Sequence, residues 1–67
     1  MEIKYFPDTD TLLMNFSNQE IVETRDINEN ILIELAQDGD LVSMTIEHAR
    51  QHMDVENFSY QKVATSA

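Results

Sequence analysis

The residues best suited to binding a metal ion are two histidines and the glutamate that precedes them. His48 and His52 are four positions apart, and Glu47 comes directly before His48. On a helix this spacing brings two imidazoles to one side, where they could share one ion. The zinc-protease pattern needs its glutamate between the two histidines, and no third ligand is identifiable. We therefore expect a solvated pair and no metal site, and keep metal or small-ligand binding by these three residues as the alternative hypothesis.

Two acidic triplets, Asp8-Thr9-Asp10 and Asp38-Gly39-Asp40, also carry oxygen atoms that suit a cation. A calcium loop continues with a third Asx residue, a glycine and a distant glutamate, and neither triplet does so. Both are interpreted as turns, since Asp and Gly are typical turn residues. The single glycine excludes the glycine-rich phosphate loops, and no serine has the G-x-S-x-G context of a nucleophile. We expect no catalytic residue, no cofactor and no enzymatic activity.

The charge of the chain points to the kind of partner it favours. Thirteen acidic residues against four basic ones give a formal net charge of −9. Nucleic acid is disfavoured as a partner, because phosphate contacts need a Lys/Arg footprint. An anionic membrane surface is disfavoured for the same reason. A basic protein is the macromolecular partner that this charge attracts.

The length of the chain predicts one small domain over residues 1–67. At 67 residues the chain is near the lower limit for independent folding, and without cysteine it has no disulfide or thiolate zinc site. A homo-oligomer that shares apolar surface is therefore expected. The N-terminus lacks the layout of a signal peptide and no apolar run is long enough to span a membrane, so we expect a cytoplasmic protein.

Alternating apolar and polar residues predict strands in the first half of the chain. We expect strands over residues 1–6, 11–16 and 20–27, the last as an edge strand because neither of its faces is continuously apolar. Pro7 ends the first strand because it has no N–H for a ladder. Leu13 points away from the apolar side of the second strand.

Residues 30–47 carry the clearest hairpin signal, two β-branched and aliphatic runs around Asp38-Gly39. The apolar alternation places one set of side chains in a common core: Ile31, Ile33, Leu35, Val42, Met44 and Ile46. Leu32 points to the other side of the sheet, with Leu13. These two leucines, or the edge near Ile21, are the expected contacts of a homodimer.

The period changes after Glu47. A short helix is expected over residues 48–53, with Ala49 and Met53 packed on the sheet. Residues 53–67 have the weakest pattern. A last strand over residues 58–63, with Phe58 and Tyr60 inward, is slightly favoured over a continued helix, and residues 64–67 are expected to be a frayed end.

The ordered set of these segments resembles DUF2283, a bacterial family of small proteins of unknown function. The resemblance covers roughly residues 1–50 and rests on the segments already described together with Glu23-Thr24-Arg25-Asp26-Ile27. The family pattern after the turn usually has a glycine and a glutamate where this chain has Ser43 and Thr45, so no role of those two residues is transferred. The resemblance implies an antiparallel sheet with a helix. Members are sometimes encoded beside small toxin-like proteins, which implies an antitoxin-like role.

The sequence thus predicts an α+β fold, a small antiparallel β-meander of four to six strands with one short helix near the C-terminus. The favoured function is an acidic protein-interaction module that masks a basic partner. Metal or small-ligand binding and a simple structural homodimer are the alternatives.

Overall fold

The structure, a computed structural model, describes residues 1–65. This part of the chain forms five strands and one short helix. Their bounds are β1 (Glu2–Phe6), β2 (Thr11–Asn15), β3 (Glu23–Asp26), β4 (Ile31–Leu35), β5 (Leu41–Glu47) and α1 (Ala49–His52).

The strands form one antiparallel sheet in the order β1-β2-β5-β4-β3. The predicted antiparallel sheet and short C-terminal helix are confirmed, but the meander is wrong, because β2 and β3 are not neighbours. β5, seven residues long and largely apolar, lies in the middle with a partner on each side. β3 has the polar sequence E-T-R-D, is exposed at every position and lies at an edge, where charged residues are best tolerated. The sheet dominates, so the α+β description holds only loosely.

The connection over residues 16–22 carries the chain from the inner strand β2 to the far edge of the sheet. The Phe16 N–H donates to the Val42 carbonyl at 2.7 Å at its start, and the Val22 N–H donates to the Leu35 carbonyl at 2.9 Å at its end. β3 begins only at Glu23, three residues later than predicted. Ile21 therefore belongs to this connection, where it is 42% exposed.

The predicted hairpin is confirmed as the β4–β5 pair, with Ile31 opposite Ile46 and Ile33 opposite Met44. Residues 36–40 connect the two strands, and the Ala36 N–H donates to the Asp40 carbonyl at 2.9 Å. Gly39 has a φ of 90°, a conformation that glycine adopts without steric cost. Asp38 accepts the Asp40 N–H at 3.1 Å, so the second acidic triplet is indeed turn chemistry.

One side of the sheet, here named the helix face, carries the core. Residues that pair across an antiparallel ladder point to the same side, so the registers define it as two rows. The first row is Tyr5, Leu12, Ile46 and Ile31, and the second is Ile3, Met14, Met44 and Ile33. Ala49 of α1 is completely buried against Leu12 and Ile46.

The other side of the sheet is named the acidic face. Its central row runs Lys4, Leu13, Thr45, Leu32 and Asp26, and the neighbouring rows add Glu2, Asn15, Ser43, Glu34, Phe6, Thr11 and Glu47. The prediction that Leu13 and Leu32 share a side opposite the core is confirmed, with Thr45 between them.

The helix α1 is shorter than predicted, because His48 adopts a left-handed conformation (φ 54°) and caps it instead of joining it. The chain becomes extended again at Met53, and Asp54 accepts the Glu56 N–H at 3.0 Å in an Asx turn.

The final strand predicted over residues 58–63 is wrong, since residues 54–65 contain no strand or helix. Phe58 and Tyr60 adjoin Met1 and Ile3 near the β1 edge but form no ladder with it, and they stay 62% and 75% exposed. Alternating residues make a strand only where a partner strand supplies the hydrogen bonds. Of the expected frayed end, residues 66–67 lie outside the described part.

Within residues 1–65, the helix is too short and too polar to cross a lipid bilayer.

Candidate functional site

A small groove lies on the acidic face and is here named the acidic groove. It has a volume of about 130 Å³ and lies where β3, β4 and β5 meet the turn over residues 27–30. Its lining residues include the acidic Asp26, Glu29 and Glu47, and Leu32 and Thr45 contribute its less polar wall. The ladder positions these side chains, because Asp26 pairs with Leu32 and Leu32 pairs with Thr45.

The turn beside the groove is fixed by Asn28. Its side-chain oxygen accepts the N–H of Asn30 at 2.7 Å and that of Ile31 at 2.9 Å. The Ile27 N–H donates to the Ile31 carbonyl at 2.8 Å and closes the β3–β4 hairpin. Glu29 is therefore held at the rim by a turn with satisfied backbone groups.

The centre of the acidic face is moderately apolar. Leu13, Thr45 and Leu32 are half-buried in three adjacent strands, and Ser43 beside them is buried. The Ser43 hydroxyl donates to the Glu34 carboxylate at 2.6 Å. This bond satisfies the buried serine, so the middle of the face has a fixed polar arrangement.

The basic residues contribute little free positive charge to this region. Lys4 pairs with Glu2 at 3.2 Å and Arg25 pairs with Glu23 at 2.6 Å. The Arg50 guanidinium lies over the ring of Tyr5, 5.9 Å from its centroid. Among the strand residues of the acidic face, Lys4 is the one cation, and it is already paired.

The candidate metal ligands are grouped differently from the prediction. The His48 Nδ1–H donates to the Asn30 side-chain oxygen at 3.1 Å, and the Asn30 amide nitrogen donates to His52 Nε2 at 3.3 Å. The side-chain amide of Asn30 is thus hydrogen-bonded to both imidazoles. Glu47 instead lines the acidic groove. Within residues 1–65, no three His, Cys, Asp or Glu side chains are arranged to hold a metal ion. An ion bound through His48 Nδ1 and His52 Nε2 would have to displace Asn30.

Asp10 accepts hydrogen bonds from two parts of the chain that are far apart in sequence. It accepts the Tyr5 hydroxyl at 2.6 Å and the Arg50 N–H at 3.0 Å, and its carbonyl accepts the Ala49 N–H at 3.0 Å. The Tyr5 hydrogen bond is the main reason that the pKa of Asp10 lies below its usual 3.8. The same bond raises the pKa of the Tyr5 hydroxyl above its usual 10.0. Asp10 joins the β1–β2 turn to α1, so the role observed is structural.

The fold and this site describe a small antiparallel-sheet protein with one acidic side. The sequence model for the family described as "Protein of unknown function (DUF2283)" matches residues 2–50, most of the chain. The chain therefore belongs to the DUF2283 family, as its resemblance indicated. No curated protein and no solved structure matches it.

Sequence reasoning identified part of this site. It placed Leu13 and Leu32 on one side of the sheet, but it did not identify Asp26 and Glu29 as members of a groove. The sequence signal for these two residues is the polar Asn28-Glu29-Asn30 stretch, which follows Asp26 directly after Ile27. Ile21, predicted as an interface residue, lies before β3 in the connection and not among the paired residues of the acidic face.

Proposed function

We propose that this chain is a non-catalytic protein-interaction module, and that it binds a basic protein through the acidic face. The observation that carries the proposal is the acidic groove, which is lined by Asp26, Glu29 and Glu47 together with Leu32 and Thr45. Masking a basic surface in the cytoplasm is also the action that an antitoxin-like role would require.

The chemistry of the groove suits one lysine or arginine side chain of the partner. Such a side chain has an aliphatic stem, which can lie along Leu32 and the Thr45 methyl group. Its charged head then reaches the carboxylates, where charge-assisted hydrogen bonds are stronger than neutral ones. Arginine fits the planar carboxylate groups better than lysine because it donates two parallel hydrogen bonds.

The surroundings of the groove favour the same partner. Half-buried Leu13 and Leu32 form an apolar centre, and Glu2, Glu34 and Glu47 lie around it. An apolar centre with a polar rim is the usual organisation of a protein interface. The net charge of −9 would also accelerate the approach of a basic protein.

The test is calorimetric titration with a nona-arginine peptide as a defined basic probe. The groove variant combines Asp26→Asn, Glu29→Gln and Glu47→Gln. Its matched control, Glu20→Gln with Asp38→Asn and Glu56→Gln, removes the same number of charges from exposed positions elsewhere. We expect the groove variant to weaken binding at least about tenfold more than the control, because only it removes hydrogen-bonding partners of a docked guanidinium.

Two results would count against the proposal. Equal weakening by both variants would mean that the peptide responds to net charge and that the groove is no site. Absence of binding at about 50 mM NaCl, where screening is weak, would contradict the proposal that the partner is basic. Circular dichroism of each variant is the control that checks whether the sheet is retained.

A further inference from the structure

The helix face is covered unevenly. The row of Tyr5, Leu12, Ile46 and Ile31 lies next to α1, and Leu12 and Ile46 are only 8% and 4% exposed. The row of Ile3, Met14, Met44 and Ile33 lies farther from the helix and remains only half-buried. Val55 packs against this core, whereas Phe58 and Tyr60 stay largely exposed beside Met1 and Ile3. An apolar strip therefore continues from the second row onto the C-terminal segment.

The total accessible surface of the molecule is larger than a compact monomer of its mass would expose, and the exposed strip and C-terminal segment contribute to it. A compact monomer of 7.8 kDa is expected to expose about 4,400 Å². This chain exposes 5439 Å². The excess, on the order of 1,000 Å², is similar to the ~800 Å² that each partner contributes to a standard interface. The radius of gyration, 13.8 Å, likewise exceeds the ~11 Å expected of a compact chain of this length.

The distribution of charge indicates what covers the strip. The side chains that β1, β2, β5 and β4 direct to the helix face are uncharged, because their carboxylates point to the acidic face. A two-fold contact places a surface against itself, which a charged patch opposes and a neutral apolar patch permits. Pairing through the helix face leaves the strand carboxylates of Glu2, Glu34 and Glu47 on the outer side of each copy.

We propose that the helix face is the interface of a homodimer, in which the second row and the segment with Phe58 and Tyr60 pack against a second copy of the chain. This interface is on the opposite side of the sheet from the Leu13 and Leu32 contact expected from the sequence. The acidic face then remains accessible in the dimer, once in each copy.

Sedimentation equilibrium of the full chain up to about 100 µM measures the assembly. We expect a mass twice the monomer's 7.8 kDa. The double variant Phe58→Ser with Tyr60→Ser should raise the dimer dissociation constant at least about tenfold, because both side chains are exposed in the monomer and contribute to the contact. The control, Leu13→Ser with Leu32→Ser on the acidic face, should leave it within about threefold.

Cross-linking provides a second measurement, because it locates the interface by the proximity of two copies and not by a loss of affinity. The chain has no cysteine, so single cysteines can report each face separately. Adjacent residues of one strand form matched pairs: Met44→Cys and Ile33→Cys lie on the helix face, Thr45→Cys and Leu32→Cys on the acidic face. A short bifunctional maleimide should link copies of the first two variants and not of the last two.

A monomeric mass at about 100 µM would overturn the proposal. So would a dimer that the Leu13 and Leu32 substitutions dissociate, or cross-links that form only through the acidic face. A polar substitution of the half-buried Met44 would also weaken the fold, and the tail variant avoids that ambiguity.

Discussion

Asp10 shows how one side chain holds distant parts of this small molecule together. Its carboxylate accepts hydrogen bonds from Tyr5 in β1 and from the backbone of Arg50 in α1. Its own backbone has a φ of 55°, a region that aspartate tolerates better than most residues. The hydrogen bonds hold α1 against the sheet, and Ala49 beside them is fully buried.

The lowered pKa of Asp10 predicts how this link responds to acid. A carboxyl group whose pKa is lower in the folded state stabilises the fold above its unfolded pKa and loses that contribution as pH falls through the folded value. For Asp10 the contribution is complete above 3.8 and is lost below it. We expect Asp10→Asn to lower Tm by several degrees at neutral pH, and the difference from the native chain to shrink as pH falls below that value.

The control for this prediction is Asp8→Asn, which changes the same charge in the same turn at an exposed position. Its Tm should stay within a degree or two of the native chain at every pH, as for most surface substitutions. A pH-independent loss of Tm in the Asp10 variant would show that the carboxylate charge is not what stabilises the link.

Such links were not predictable from the sequence, because each joins residues that are far apart along the chain. Asp10 and Arg50 are separated by 40 positions, and Asn30 and His52 by 22. The i, i+4 spacing of His48 and His52 did indicate that the two imidazoles are neighbours. It gave no sign that Asn30 bridges them or that His48 lies outside the helix.

At the scale of elements, the β4–β5 hairpin depends on the conformation of Gly39. Its φ is 90°, and no atom lies within 4 Å of the position that a Cβ would occupy. Gly39→Ala therefore meets no clash, and its cost is the backbone strain alone. We expect a loss of about 1 kcal/mol, measured by urea unfolding, and a Tm lower by about 4–8 °C for a domain of this size.

Gly39→Asn is the matched substitution, since asparagine adopts positive φ more readily than alanine. Its loss should be smaller than that of Gly39→Ala although its side chain is larger. If alanine and asparagine are equally tolerated, the hairpin does not depend on this backbone conformation.

The elements themselves were largely predictable, since period-two patterning is local. Ile31–Leu35 and the strand that follows Gly39 were predicted within about one residue. Their order in the sheet was not predictable, because nothing in β2 shows that its second partner is β5 and not β3. That choice places β5, which carries Val42, Met44 and Ile46, between two partner strands. It is a property of the assembled sheet. The strand predicted over residues 58–63 failed for the related reason that no strand pairs with it.

At the scale of the whole molecule, the two sides of the sheet have opposite character. The helix face is apolar and uncharged on four of the five strands, whereas the acidic face and the turns carry most of the charge. Two different associations are therefore proposed for one thin sheet, a second copy on one side and a basic partner on the other.

Salt should act on these two associations in opposite directions. Bringing two chains of charge −9 together costs electrostatic free energy, which added salt screens. We expect the dimer dissociation constant to fall several-fold between about 20 and about 300 mM NaCl. Binding of the arginine peptide should weaken at least about tenfold over the same range, because there the screened interaction is attractive.

Sedimentation and calorimetry on the same samples measure both constants. The groove variant Asp26→Asn, Glu29→Gln, Glu47→Gln is a useful internal control, because it removes the same three negative charges in both measurements. It should strengthen the dimer at about 20 mM NaCl while weakening peptide binding. If both associations weakened in this variant, they would share the carboxylates of one surface, and the assignment of one partner to each side of the sheet would be wrong.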